Sequence, residues 1–515
     1  MLRSPSMHER NVDERPIAEG GGGVSARPML AKDREGFIGR HELWSEAQYA
    51  AAGQMRRVMD ELGIEMVRFS FVDQHGILRG KTLARAAVAT ALRSGVTAPS
   101  SLLLKDTSGQ SVFSVFSEET GVGVTGFSGA GDIVLVPDPE TFRVLPWTER
   151  TAWVLCSLRF PDGSPVPFCT RTILHNELDA LAARGFGMTV GAELEFHVFR
   201  DAGEELTPAH VGAPGRPGNV VEAHPTTRGA QLLHEEGLDE LQPLVDALYR
   251  GLTLLDLPLR SIELEFGPSQ LEITMEAGDA ARIADAIVLC RSAVRRICAA
   301  NGYHATFMSR PQGAEGASTG WHLHQSLYEL ATGAHAFVPD AAGTTLSLTA
   351  SAYLGGLLAH AAAAASFTTP TVNGYKRYQP FSLAPDRIAW GIDNKGAMIR
   401  AVGGAGDPAT RLENRSGEPA ANPYLYIASQ IISGLDGMER GLIPPAPTTD
   451  PYMTDATPLP ASLSEAVDAL VVDDVFRAAL GDTVVDWYAT IKRAEYARYM
   501  RHVSDWEQRE YFGIF

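Results

Sequence analysis

Four short segments of this chain alternate apolar residues with charged or polar ones, and a β-strand is the regular conformation that sorts such a pattern onto two faces. In GAELEFHVF, Glu193, Glu195 and His197 share one face, while Leu194, Phe196 and Val198 share the other. SIELEFG places Glu263 with Glu265, and Glu272 follows a Gly267-Pro268 interruption in GPSQLEIT. WHLHQSL aligns His322, His324 and Ser326, and TRLENRS aligns Arg411, Glu413 and Arg415. One such strand is usually the wet side of an amphipathic sheet; four repeating the device point to a shared cavity. Carboxylates converging there would repel one another by on the order of several kcal/mol at low effective dielectric, which multivalent cations relieve. Glutamate oxygens with imidazole suit Mg²⁺ or Mn²⁺ better than zinc, which favours sulfur and nitrogen in tetrahedral sites.

A second set is cationic: Lys376 and Arg377 in NGYKRYQP, Lys395 and Arg400 in IDNKGAMIRAV, and Arg411 and Arg415 beside Glu413. Arginine forks bind carboxylates and phosphates bidentately, so metal beside arginine fits phosphoryl transfer to an anionic acceptor. GxxxxGK[ST] does not occur in the sequence, so a nucleotide must be held by something other than a P-loop.

With 515 residues, 45% of them hydrophobic, the chain can bury a large core, expected as one big domain plus a smaller one. The net charge of -18 argues against nucleic acid as a partner and leaves small molecules or copies of the chain. Cys156, Cys169, Cys290 and Cys298 stand singly, without zinc-site spacing, so a reducing cytoplasm is the expected compartment. No apolar stretch is long enough to span a bilayer, so neither secretion nor membrane insertion is expected.

The fold class reads as α+β. Residues 1–40 are polar, include Gly20 to Gly23, and read as a flexible arm. A helical pattern from Glu42 to Leu62 precedes MVRFSFVDQHGILRGKTL, two strands joined at Gln74, His75 and Gly76. This smaller unit, residues 41–150, runs past DIVLVPD to a boundary marked by Pro146 and the Pro-rich stretch Pro161 to Phe168. Helical stretches at Thr170 to Gly185 and Leu354 to Ser366 then alternate with strands through residues 151–515.

In order and spacing these segments resemble the glutamine synthetase family from about Met66 to Phe515. The match rests on GAELEF, ELEFGPSQLEIT, FMSRPQGAEGASTGWHLHQSL, NGYKRYQP, APDRIAWGIDNKGAMIR, TRLENRSGEPAANPYL and the terminal VSDWEQREYF. The resemblance implies a small β-grasp-like N-terminal domain and a large catalytic domain with a curved antiparallel sheet. It implies an ATP-dependent ligase with two or three Mg²⁺ or Mn²⁺ ions per site. Glu195, Glu265 and Glu272 would hold one metal, and Glu193, His322 and Glu413 another. By the same matching His324, Ser326 and Arg411 would contact ATP, Arg400 and Lys395 the transferred phosphoryl group, and Arg377, Arg415 and Gly320 the glutamate. Homo-oligomeric rings, usually dodecamers, are implied too.

The departures bear on the amine. Where the family has a PGYEAP loop whose glutamate takes a proton from ammonium, this chain has PFSLAP, with Leu383 in that place. An apolar residue cannot pair with a cation, which favours an amine carrying an apolar substituent. Asparagine-glycine-serine-glycine becomes Ala317-Ser318-Thr319-Gly320, Lys395 replaces an arginine, and the N-terminal aspartate motif survives only as DTSG, with Asp106 the candidate. The resulting expectation is a γ-glutamylamide synthetase using an organic amine, alkyl or aromatic. The alternatives are an ammonia-using glutamine synthetase and a non-catalytic ring protein of the same fold.

Overall fold

The structure is a computed structural model, and it describes residues 34–203, 205–312 and 317–515. Most of the stretch read as an arm, residues 1–33, lies outside the described residues. Its last four residues, Phe37–Arg40, form a helical turn with Phe37 and Ile38 buried, so the packed chain already begins there. The helix Glu46–Glu61 starts at a reciprocal cap in which Ser45 accepts from the Gln48 amide and the Gln48 side chain accepts from the Ser45 amide. It buries Tyr49, Ala52, Met55 and Met59, at helical spacing.

Among the described residues, fourteen strands make two sheets: β1 Met66–Val72, β2 Leu78–Ala84, β3 Val96–Pro99, β4 Asp132–Val144, β5 Thr151–Arg159, β6 Phe186–Asp201, β7 Ala223–Pro225, β8 Leu259–Leu264, β9 Gln270–Asp279, β10 Tyr303–Thr306, β11 Trp321–Glu329, β12 Trp390–Ile392, β13 Ile399–Val402 and β14 Arg411–Asn414. The smaller sheet runs β2-β1-β5-β4-β3, with β1 parallel to β5 and the β1–β2 hairpin turning through Gln74, His75 and Gly76. The larger runs β12-β13-β14-β11-β6-β9-β8, with β7 and β10 also pairing β6.

Register in the larger sheet gathers the charged residues. His322 lies opposite Glu193, His324 opposite Glu413, Glu195 opposite Glu272, Glu263 opposite Glu272, and Arg400 opposite Glu413. Directly opposed side chains sit about 5 Å apart at Cβ, so six strands converge on one patch. The other face meets the helices Ala280–Ala300 and Pro423–Arg440, whose inward residues include Ile287, Val294, Tyr424 and Ile431.

The Ala-rich stretch read as continuous helix is two helices, Leu348–Ala359 and Ala361–Thr368, bent by 78° at His360. His360 sits between two carboxylates, Nδ1 at 2.8 Å from Asp473 and Nε2 at 2.9 Å from Asp436, and these anchors explain the break. By length and composition this bent pair alone could cross a membrane; no single helix among the described residues could, and the pair is mostly buried in the core.

Candidate active site

Glu193 is the hub. Its two oxygens lie 3.0 Å from His322 Nδ1 and 2.8 Å from His324 Nε2. Arg411 Nε donates to His324 Nδ1 at 3.0 Å, so that nitrogen is unprotonated and Nε2 donates to Glu193. Burial opposes the Glu193 charge, yet the two histidines outweigh it and hold the carboxyl well below its usual range. Glu413 is wholly buried and bracketed by arginines: Arg400 donates at 3.0 Å, and Arg415 pairs with the other oxygen. Burial again opposes ionisation, and His322 with Arg415 overcomes it.

Beyond Glu193 the balance reverses. Glu195 accepts from Gln270 Nε2 at 2.7 Å and from the Gly320 amide at 2.8 Å, yet burial and then the Glu265 charge push it up to about 8. Glu272 is pushed up to about 10 by burial and by Glu195, Glu193, Glu265 and Glu263. Glu265 lies one residue past β8 and is raised mainly by burial. Carboxylates that cannot all ionise by themselves are a donor set short of positive charge, and a hard divalent cation supplies it. The residues therefore fit such an ion. Among the described residues, two groups bring their ligand atoms within 4.8 Å of one another: Glu193, Glu272 and His322, and Glu193, His324 and Glu413. Glu193 thus belongs to both, and His324, expected at the nucleotide, joins the second group.

Arg377 and Arg415 are 2% and 7% exposed, and each leaves Nε without an acceptor among the described residues; Arg377 Nη1 donates to the Ser416 carbonyl at 2.9 Å. Buried guanidinium donors left open are the complement of an anionic ligand. Gly320 makes room beside them: a Cβ there would lie 3.0 Å from both Arg377 Nη2 and His322 Nε2, and 3.4 Å from Glu195 Oε1. Arg400 Nε donates to Asp393 at 2.9 Å, and exposed Lys395 draws down the Glu265 carboxyl. Ser326 lies on β11 opposite Thr189.

Leu383 sits 63% exposed at φ +64°, two residues after Phe381 at φ +61°. Positive φ at two bulky residues is backbone strain of the kind that clusters at functional loops. The Ser382 hydroxyl donates to the Arg377 carbonyl at 3.0 Å, and Tyr452 Oη donates to the Ala384 carbonyl at 3.2 Å, tying the loop to the arginine segment. Asp106 is held within its own turn and by Arg498 at 3.1 Å, and none of its bonds reaches the cluster.

Three residues behave differently from their strand pattern or were not singled out by it. His197, on the charged face by alternation, is fully buried without a hydrogen-bond partner for either nitrogen among the described residues, and burial lowers it to about 4. Gln270 orients Glu195, and Glu418 accepts from Ser309 and Thr371 while sealed from solvent. Only their places within GPSQLEIT and RSGEPAAN hinted at either.

A family model described as glutamine synthetase, catalytic domain, matches residues 167–511. The chain is 42% identical over 497 residues to a γ-glutamylanilide synthase from Acinetobacter sp, covering 93% of this chain and 99% of that protein. It is 32% identical to the γ-glutamylethanolamide synthetase GlnA4 of Streptomyces coelicolor, covering 87% and 93% respectively. Among solved structures, "GmaS/ADP complex-Conformation 1" superposes with TM-score 0.74 at 27% identity, covering 89% of this chain and 99% of that one. With a curved carboxylate-lined sheet matched in sequence along nearly its whole length, this chain belongs to the glutamine synthetase family and is an ATP-dependent carbon–nitrogen ligase.

Proposed function

We propose that the chain joins glutamate to an organic amine, with an arylamine the favoured acceptor, and that Mg²⁺ or Mn²⁺ serves the site. The observation that carries this reading is the pairing of open, buried Arg377 and Arg415 with an apolar, strained loop at Leu383. Glu193, Glu195, Glu265, Glu272, His322 and Glu413 would hold the divalent ions, with His324 at their edge. Bound there, such ions neutralise phosphate charge and polarise the phosphoryl group.

The chain's own groups supply the rest. Arg377 and Arg415, with the space left at Gly320, would seat glutamate; Arg411, His324 and Ser326 would orient ATP; Arg400 and Lys395 would face the phosphoryl group in flight. The γ-carboxylate oxygen bonds to the terminal phosphorus as the bond to ADP breaks. The amine nitrogen then bonds to the γ-carbonyl carbon, phosphate leaves, and the nitrogen loses its extra proton. Ammonium has to shed a proton before it can attack, whereas an arylamine, its lone pair delocalised into the ring, is already neutral at neutral pH. Leu383 in place of a proton-accepting glutamate fits that nucleophile. Three relatives support the reading in kind, since besides those two a 30% identical protein of Pseudomonas sp is a glutamate–isopropylamine ligase, while others, such as a 32% identical protein of Halobacterium salinarum, are glutamine synthetases.

We further propose the division into an arm through residue 40, a β-grasp-like unit over 41–150 and a catalytic unit over 151–515, in a cytoplasmic ring of identical subunits in which Asp106 reaches a neighbour's amine pocket. The test is ATP- and glutamate-dependent amide formation, followed by mass spectrometry, across ammonia, ethanolamine, isopropylamine, putrescine and aniline. Ammonia proving the best acceptor would overturn the reading.

A further inference from the structure

A cavity of about 740 Å³ opens between the Gln74–Gly76 turn, the helix Ala280–Ala300 and β10. None of the six metal-ligand candidates lines it. Its walls carry Arg291, Arg295, Arg296, Lys492, His75 and His304 and, among the described residues, no aspartate or glutamate, in a chain whose net charge is -18. Such a segregation of charge is a site for an anion.

Two of these cations are already engaged. Arg291 donates to the carbonyls of Pro419, Ala421 and Gly76 at 2.7 to 3.0 Å, and Lys492 pairs with Glu495 at 3.3 Å. Arg295 and Arg296 are exposed and have no carboxylate within ion-pair distance among the described residues. Arg296 is close enough to Arg68 to add to the effect of burial in lowering that guanidinium.

Two of the residues that line the cavity carry buried acceptors that are unused. Gln74 is 2% exposed; its Nε2 donates to the Lys105 carbonyl at 2.6 Å, which fixes the amide and leaves Oε1 without a donor among the described residues. His75 Nε2 faces the Lys105 carbonyl at 3.0 Å, so it carries the proton, and Nδ1 is left as a second acceptor without a partner among the described residues. Buried acceptors without donors cost free energy unless a ligand or water fills them.

We infer that this cavity binds a phosphate monoester whose carbon skeleton carries hydroxyl groups, the phosphate on Arg295 and Arg296 and the hydroxyls on Gln74 and His75. A dicarboxylate would leave both acceptors empty, and an ammonium compound would meet only cations. Val288, Ile77 and Phe307 supply an apolar wall for the skeleton, and the volume is that of a small-molecule site.

The experiment is calorimetric titration of the full-length protein, without ATP or added metal, with ribose 5-phosphate, glycerol 3-phosphate, inorganic phosphate and malonate. The two monoesters are expected to bind more tightly than phosphate or malonate. Affinity should fall at least tenfold in R295E/R296E and stay unchanged in R411A, which separates this cavity from the proposed ATP site. Q74L should weaken the monoesters and leave inorganic phosphate unaffected. R295E/R296E should keep wild-type amide formation at saturating substrates, which establishes that it folds. Monoesters that fail to bind at millimolar concentration, or bind R295E/R296E as well as wild type, overturn the inference. So does a change of oligomer size in R295E/R296E with no monoester bound by wild type, because the patch would then join copies of the chain.

Discussion

Replacing Gly320 with alanine probes how tightly the candidate site is built. The added methyl would stand 3.0 Å from Arg377 Nη2 and His322 Nε2 and 3.4 Å from Glu195 Oε1. None of these can yield freely: His322 is 3.0 Å from Glu193, Arg377 donates to the Ser416 carbonyl at 2.9 Å, and Glu195 is held by Gln270 and by the Gly320 amide itself. Overpacking a closed site costs about 1–3 kcal/mol. If that cost falls on the reactive complex, at about 1.4 kcal/mol per decade, kcat/KM drops roughly 5- to 150-fold. Gly191→Ala is the control, because its methyl would meet nothing closer than 3.7 Å, at the His324 Cβ. Steady-state ADP release with varied glutamate and varied Mg²⁺ gives the readout, and G320A should raise the concentrations needed of both. A G320A enzyme within twofold of G191A on all three parameters would refute the packing argument.

Glu272→Gln removes a carboxyl crowded by burial and four neighbouring acids. The metal-free protein should therefore melt higher than wild type by calorimetry while metal-supported turnover falls. Leu383→Glu should shift acceptor preference toward ammonia by an order of magnitude or more in competition assays, because it restores a proton acceptor on the loop. His360 loses basicity to burial but gains more from Asp473 and Asp436, so its folded pKa is raised. Its clamp is therefore fully present below the ordinary value near 6.5 and is lost as pH rises through the folded value. His360→Gln should remove that part of the pH dependence of denaturant unfolding and destabilise the protein at pH 6 by about 1.5–3 kcal/mol.

The strands of the site were legible because alternation is local: Glu193 and Glu195 need only their own neighbours to be placed on one face. Which carboxylates share a ligand set does not follow from alternation, because that depends on register between strands distant in sequence; the family resemblance alone implied sets. Glu193 meets His322 across 129 positions, and β8 stops one residue short of Glu265. The bend at His360 escaped for the same reason, since its anchors lie 76 and 113 positions away. An unbroken Ala-rich run carries no local signal for it. Gln270 and Glu418 are polar residues satisfied by distant partners, and polarity alone does not distinguish such a residue from one on the surface.

The central claim is that this chain activates the γ-carboxylate of glutamate by phosphorylation before the amine attacks. Turnover of glutamate labelled with ¹⁸O in the γ-carboxylate, with ATP, Mg²⁺ and aniline, tests it directly by mass spectrometry of the released phosphate. The account predicts one ¹⁸O in each phosphate and an equal amount of γ-glutamylanilide; phosphate free of label while the amide accumulates would contradict it.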